Sequence, residues 1–426
     1  MMFSSLAFAD TDENYLPYLP GLLDQSLMVA PISHHTAKTY VLPATPNTTQ
    51  WGFYDNSQPP VLRINSGDTV IIETMAASDN QVVPGAKIDQ IMQIQHAVPN
   101  RGPHTLTGPI FVEGAEPGDT LRIHINKIVP RPYASNNTAP EKGLFPDKFP
   151  TPRVTYYYLD LQKKQMMFAP NIIVPLAPFP GIVAVAPQEP GKHSSSPPGP
   201  FGGNMDLREL TEGSTLYLPV FTKGALLWSG DSHAGQGNGE IDLTAIETAF
   251  AELNITVDVI KNKPITWPRV ENSSSWIAVG YDADLNKALD ILKNETIKLI
   301  VDVHHVTPEA AEKIMMKTWN CPISEVVNGV QGVYCIVPKQ TNAQASPALP
   351  TSDTATQYVT HGKNSDIEKA MKEASMAMID KIVKLKNMSR ADAYTLASFT
   401  MDCRIAPFTT GDKSVHCMMN KNLWVK

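Results

Sequence analysis

Glu116-Pro117-Gly118-Asp119-Thr120-Leu121-Arg122-Ile123-His124-Ile125 sets a turn glycine and a polar residue directly ahead of an alternating apolar run. Such a phrase marks the entry to a β-strand. An earlier copy, Ser66-Gly67-Asp68-Thr69 before Val70-Ile71-Ile72-Glu73, follows the apolar run Val61-Leu62-Arg63-Ile64. A looser one is Glu212-Gly213-Ser214-Thr215 before Leu216-Tyr217-Leu218-Pro219-Val220. Repeated strand entries predict a mainly β protein, sandwich or barrel-like. The 36 prolines agree, because proline cannot donate to a helix or a sheet ladder and collects in turns, edges and ordered loops. The proline-rich stretch 171–200 ends in Pro197-Pro198-Gly199-Pro200 and is expected to be a loop and a boundary. A short helix around 243–252 is the only helical signal before residue 280.

The C-terminal part repeats itself. Sliding the chain by 82 positions puts Cys321 on Cys403 and Cys335 on Cys417 without a gap. The same step superimposes Gly280 on Gly362, Asp284 on Asp366, Lys287-Ala288 on Lys369-Ala370, and Thr318 on Thr400. This predicts a C-terminal α+β portion containing a tandem duplicated strand-helix-helix-strand unit. In the second copy Ser365 with Glu368 reads as a capping box opening a helix over 366–385, and Ser389 caps another over 390–400. Thr307 with Pro308 opens the matching helix of the first copy. His304-His305 closes a helix, where a cation suits the dipole. The stretch 340–356, rich in Thr, Ala, Ser and Pro, reads as a linker. The expected division is 1–20 as a signal remnant or loose terminus, 21–200 and 201–275 as β structure, then repeats at 276–339 and 357–426.

A net charge of −7 argues against nucleic acid as a partner, and no apolar run reaches a bilayer-spanning length. Ala7-Phe8-Ala9 before Asp10 has the small-x-small pattern of a signal-peptidase site, though no basic segment precedes it. Together with the cysteines this points to a periplasmic or secreted protein, with a cytoplasmic one as the alternative. If the protein is exported, Cys321–Cys335 with Cys403–Cys417 is the simplest pairing. The repeat equally permits Cys321–Cys403 with Cys335–Cys417, and four buried thiols are the remaining option.

Ser229-Gly230-Asp231-Ser232-His233-Ala234-Gly235-Gln236-Gly237-Asn238-Gly239-Glu240 concentrates polar residues among four glycines. Glycines such as Gly230 let backbone approach a ligand closely. Asp231 and His233 face one way on an extended chain and, with a third ligand from elsewhere, suit a Zn²⁺ site with a position open for water. Glu240 is then a general acid or base. Spacing alone equally fits a hydrogen-bonded turn, and Gly237-Asn238-Gly239-Glu240 fits a tight hairpin. Glu116 to Asp119 reads as a turn, and His124 as structural. No Gly-x-Ser-x-Gly elbow or phosphate-binding loop is present. Ser194-Ser195-Ser196 beside Lys192 lacks the glycine-rich surround of a Ser/Lys amidase, and Pro197-Pro198 suggests a surface loop.

Three segments together resemble the acetamidase/formamidase family. They are His104-Thr105-Leu106-Thr107-Gly108-Pro109 running into Val112-Glu113-Gly114-Ala115-Glu116-Pro117-Gly118-Asp119; Gly202-Gly203-Asn204-Met205-Asp206 with the 230–240 loop; and Ala391 to Leu396 through Asp402-Cys403-Arg404 to His416. The resemblance implies hydrolysis of a small amide, formamide or acetamide in type, to a carboxylate and ammonia, on a β-rich fold that forms a homo-oligomer. It implies a divalent metal, Zn²⁺ in the first instance, with His104, Asp231 and His233 as ligands. Glu113 and Glu240 become the acid/base candidates, with Asn204, Asp206 and Gly230 at the substrate. Two departures stand out: Asn238, where relatives commonly carry Asp, and the doubled C-terminal unit. Two alternatives follow, a lapsed relative acting as a binding protein and a hydrolase of another C–N bond.

Overall fold

A computed structural model of the chain describes residues 36–340, 342–408 and 410–425. The leader expected at Ala7-Phe8-Ala9 lies outside them.

All three strand-entry phrases are turns closed by a side chain onto the backbone three residues earlier. Asp68 and Asp119 each accept a hydrogen bond from the backbone N–H three residues earlier, at 2.7 and 2.9 Å, while Ser214 donates its hydroxyl to the Thr211 carbonyl. Gly67, Gly118 and Gly213 take φ of 91°, 93° and 87°, a conformation that penalises a Cβ. The strands they launch, Asp68–Ile72, Thr120–Pro130 and Thr215–Pro219, lie in one twelve-stranded sheet with Phe250–Ile260 inserted between the first two.

A second, eleven-stranded sheet carries Tyr133–Thr138, Glu247–Thr248, Leu227–His233, Phe179–Ala184 and Gly202–Asn204 in that order, with Thr105–Val112 also paired to Leu227–His233. Ile123, Leu216 and Ile255 of the first sheet pack against Ile110, Val183 and Leu227 of the second. This is a sandwich core, and the sheets stay open rather than closing into a barrel. The sheets also run across positions 200 and 275, and residues 37–426 form one compact unit.

The stretch 243–252 is not a helix. Ile246 exchanges backbone hydrogen bonds with Ala234 and Gly235, Glu247–Thr248 is a short strand, and Phe250–Ile260 a long one. Sheet pairing with distant strands overrides the local preference. A helix that was not expected, Ile88–His96, lies between the first strands.

At the C-terminal end the elements follow each other at the expected step. Ser275–Asp282, Leu285–His304 and Gln331–Pro338 match Gln357–Asn364, Ile367–Lys386 and Lys413–Asn420. Each stretch ends in two strands rather than one, and a disulfide joins the pair: Cys321–Cys335 and Cys403–Cys417, the local connectivity. Asp284 and Asp366 cap the long helices, accepting from Asn286 N and Glu368 N. The expected cap at Ser365 therefore moves by one residue, because the Asp366 carboxylate accepts from Glu368 N, while Ile367 N donates to Asn286 Oδ1. Thr307 and Ser389 cap the second helices as expected. Cys321–Glu325 pairs with Asp402–Ile405, so the twelve-stranded sheet runs through both stretches.

Gly280 and Gly362 hold equivalent places where strand meets helix. A Cβ on Gly280 would come within 2.3 Å of the Ala288 carbonyl oxygen, and one on Gly362 within 2.1 Å of the Ala370 carbonyl oxygen. Backbone cannot yield as a flexible side chain does. Gly280→Ala and Gly362→Ala are each expected to destabilise the fold by about 1–3 kcal/mol, read as a lower urea midpoint; an unchanged midpoint would mean the helices are free to lift.

Candidate active site

The strand Leu227–His233 brings Asp231 and His233 to one end of the second sheet. Their side chains meet, with His233 Nε2 3.2 Å from Asp231 Oδ2. Glu247, on the adjoining short strand, puts Oε2 3.4 Å from the same nitrogen. On the other side of the ring Asp206 Oδ1 lies 3.9 Å from His233 Nδ1. Asp206 follows the strand Gly202–Asn204, and Glu240 arrives from the glycine-rich loop. His233 thus belongs to two overlapping acidic sets, one with Asp206 and Glu240 and one with Asp231 and Glu247, each with its ligand atoms within 4.8 Å of one another.

Several features mark this cluster as built for a ligand. Asp206, Asp231 and Glu240 are all non-glycine residues in the left-handed region, with φ of 45°, 48° and 48°. Backbone strain of this kind persists where the surroundings impose it, and it collects at functional sites. Neither His233 ring nitrogen makes an aligned hydrogen bond to the carboxylates beside it, and Asp206 Oδ1, Asn204 Oδ1 and Glu240 Oε2 are buried without a hydrogen-bond partner. Buried polar atoms are rarely left so. Gly181 lines the cluster closely, since a Cβ there would stand 2.5 Å from Asp231 Oδ2 and 2.8 Å from Asp206 Oδ1. One imidazole, several carboxylates and unpartnered lone pairs make a donor set that fits a divalent cation.

The electrostatics follow from crowding in a buried site. Burial pushes the Asp206 carboxyl well up, and Asp231 adds to the push. Burial, then Asp206, does the same to Glu240. For Asp231 burial also raises, but His233 and His104 outweigh it and hold the carboxyl at about 2. Burial lowers the His233 imidazole, and Glu247 and Asp231 more than reverse this.

Of the expected ligands, Asp231 and His233 come together and His104 stands beside them, with Nε2 3.8 Å from Asp231 Oδ1. His104 is steadied from behind by Ser195 Oγ, 3.0 Å from Nδ1. Ser195 is fully buried, so the expected surface loop there is a packed wall. Asn204, Asp206 and Glu240 lie at the site. Glu113 does not: it pairs with Arg63 at 3.0 Å and is half exposed. The eight-residue strand Thr105–Val112 separates it from His104 by about 25 Å of extended chain. Gly230 packs instead against the neighbouring strand, where a Cβ would meet the Thr105 carbonyl oxygen at 2.4 Å.

Three participants had no sequence signal. Glu247 sits in the stretch read as helical. Asn328 reaches in from the hairpin of the first C-terminal stretch and donates Nδ2 to Asp206 Oδ2 at 2.6 Å. Glu325 shapes that hairpin by accepting from Val327 N and Asn328 N, while burial raises its carboxyl to about 8. The glycine-rich loop is anchored rather than free: Gly237 N donates to Ser398 O, Asn238 N to Met401 O and Gly239 N to Ser324 O. Asn238 points away from the cluster, donating to Asp402 Oδ1 at 2.6 Å. A second carboxylate there would repel Asp402.

The chain belongs to the acetamidase/formamidase family, whose model matches residues 47–195 and 191–408. Among characterised relatives, the acetamidase of Mycolicibacterium smegmatis is 26% identical over 263 residues, 48% of this chain and 64% of that protein. The formamidase of Methylophilus methylotrophus is 27% identical, over 48% of this chain and 62% of that protein. These matches span less than two thirds of the relatives' length. The crystal structure of an acetamidase from Yersinia enterocolitica superimposes with a TM-score of 0.66 at 28% identity, covering 76% of this chain and 99% of that one.

Asp206 ionises against both burial and its neighbours. Its folded pKa is raised, so in metal-free protein its contribution to stability worsens as pH climbs above the ordinary carboxylate range. Asp206→Asn keeps an acceptor for Asn328 and removes the charge. At neutral pH and without added metal it is expected to gain about 1–2 kcal/mol in urea unfolding; a loss of stability would contradict this account.

Proposed function

We propose that this protein is a metal-dependent amidohydrolase that cleaves linear amides to a carboxylate and ammonia. The observation that carries the reading is the unpartnered, backbone-strained cluster around His233, in a chain whose relatives include an acetamidase and a formamidase. His233 Nε2 with Asp231 and Glu247 would hold a divalent cation, Zn²⁺ in the first instance. Such an ion supplies Lewis acidity and lowers the pKa of water.

The chain's own residues do the rest. Asn204 Oδ1, buried and unpartnered, accepts an N–H of the amide and orients it. Glu240 Oε2, equally unpartnered, carries the proton to the departing nitrogen, which leaves as ammonia. His104, braced by Ser195, faces the same cavity and keeps Asp231 ionised. The positive-φ backbone at Asp206, Asp231 and Glu240 holds these groups in place before substrate arrives. The two disulfides support a periplasmic or secreted location, where such bonds persist. No helix among the described residues is long and apolar enough to cross a membrane.

Elemental analysis paired with ammonia release tests the proposal. About one Zn²⁺ per chain, chelator-sensitive ammonia release from formamide or acetamide, and its abolition by His233→Ala are the expected results. Metal without turnover of either amide would move the substrate to another C–N bond. Neither metal nor turnover would favour a binding protein.

A further inference from the structure

The cavity over the cluster is far larger than formamide or acetamide requires. It encloses about 440 Å³, within the range of sites that take ligands of many atoms. Acetamide has four non-hydrogen atoms, and the space corresponds to the liquid volume of roughly fifteen waters.

Its walls also carry charge of both signs. His104, Asn204, Asp231, Glu240 and Glu247 line one part. Ala76, Val82, Val98, Pro99 and Leu243 supply an apolar wall. Two cations, Arg101 and Lys142, also line the cavity. Arg101 lies flat over the Trp51 ring, 3.4 Å from its centre, and donates one nitrogen to the Ile94 carbonyl. Among the described residues no carboxylate pairs with Arg101 or Lys142, although several carboxylates line the same cavity. The positive groups therefore stand apart from the acidic cluster, beyond ion-pairing reach. A stacked, immobilised guanidinium with unused donors is preorganised for an anion.

We infer that the preferred substrate is an amide whose acyl chain carries a carboxylate at its far end, held by Arg101 and Lys142 while the amide lies on the acidic cluster. The inference rests on the amidohydrolase reading. Water adds to the amide carbon, the C–N bond breaks, one water proton leaves on the ammonia, and the other is given up when the new carboxyl group ionises, leaving the ammonia as ammonium. The product is a dicarboxylate.

Adipamic acid, hexanamide and acetamide separate the possibilities, because the first two share a chain length and differ in the terminal charge. In the wild type, kcat/KM for ammonia release is expected to be at least about tenfold higher for adipamic acid than for hexanamide. Arg101→Gln and Lys142→Gln should each shrink that ratio, with Arg101→Lys keeping part of it. A general loss of folding in an Arg101 variant would depress both substrates alike, and Lys142 is exposed, with no side-chain hydrogen bond among the described residues to lose. Equal turnover of the two long amides, preference for acetamide, or a ratio unmoved in both Gln variants would overturn the inference and leave the amidohydrolase reading standing. Calorimetry on the wild type covers the remaining case. Adipamic acid binding more tightly than hexanamide, with no amide turned over, would keep the ligand class and end the amidohydrolase reading; binding of neither, without turnover, would end both.

Discussion

Like charges brought together away from bulk water repel, and the structure depends on overcoming that repulsion at one point. Asp206, Asp231, Glu240 and Glu247 surround a single imidazole in a site that is almost wholly buried. Asp206 and Glu240 would not stay there on their own account, because burial and the neighbouring carboxylates penalise their ionised forms. The places of all four are imposed by the backbone. Three of them are held at a positive φ, and each comes from an element anchored in sheet or in cross-chain hydrogen bonds. The sandwich core supplies the rigidity that makes this possible, with Ile123, Val183, Leu216 and Leu227 packed between the sheets.

That rigidity is shared with the C-terminal stretches. The first sends Asn328 to Asp206 and Ser324 to the glycine-rich loop. The second receives the same loop at Ser398, Met401 and Asp402. Arg208 and Arg404 surround Asp402 and hold its carboxyl low against the burial that would raise it. The anchor of Asn238 is thus an ionised acceptor in a fixed place. Glu240, two residues on, inherits that placement.

Different parts of this arrangement were legible in the sequence to different degrees. The strand entries could be read because a turn glycine followed by Asp or Ser closes a turn with local atoms only. The step of 82 could be read because it needs no gap, although the second closing strand of each stretch was folded into one. Asp231 and His233 were found through the alternation of a strand, even though Asp231 itself departs from extended geometry. Glu247 was hidden because its strand is two residues long and exists only through pairing. Asn328 was hidden because its partner lies 122 residues away. Glu113 misled for the opposite reason: nearness to His104 in a motif becomes distance when a straight strand lies between them.

The clamp on the glycine-rich loop has one further consequence. It is made from main-chain N–H groups to the main-chain carbonyls of Ser398, Met401 and Ser324, so it does not depend on which side chains those positions carry. What it does demand is the absence of a side chain at Gly237, where a Cβ would meet the Ser398 and Met401 carbonyl oxygens at 2.7 and 2.8 Å. A seam written in backbone tolerates drift. The two C-terminal stretches can change their side chains at these contacts while the loop keeps its shape, provided that Gly237 and Gly239, the latter at a φ of 109°, stay glycine.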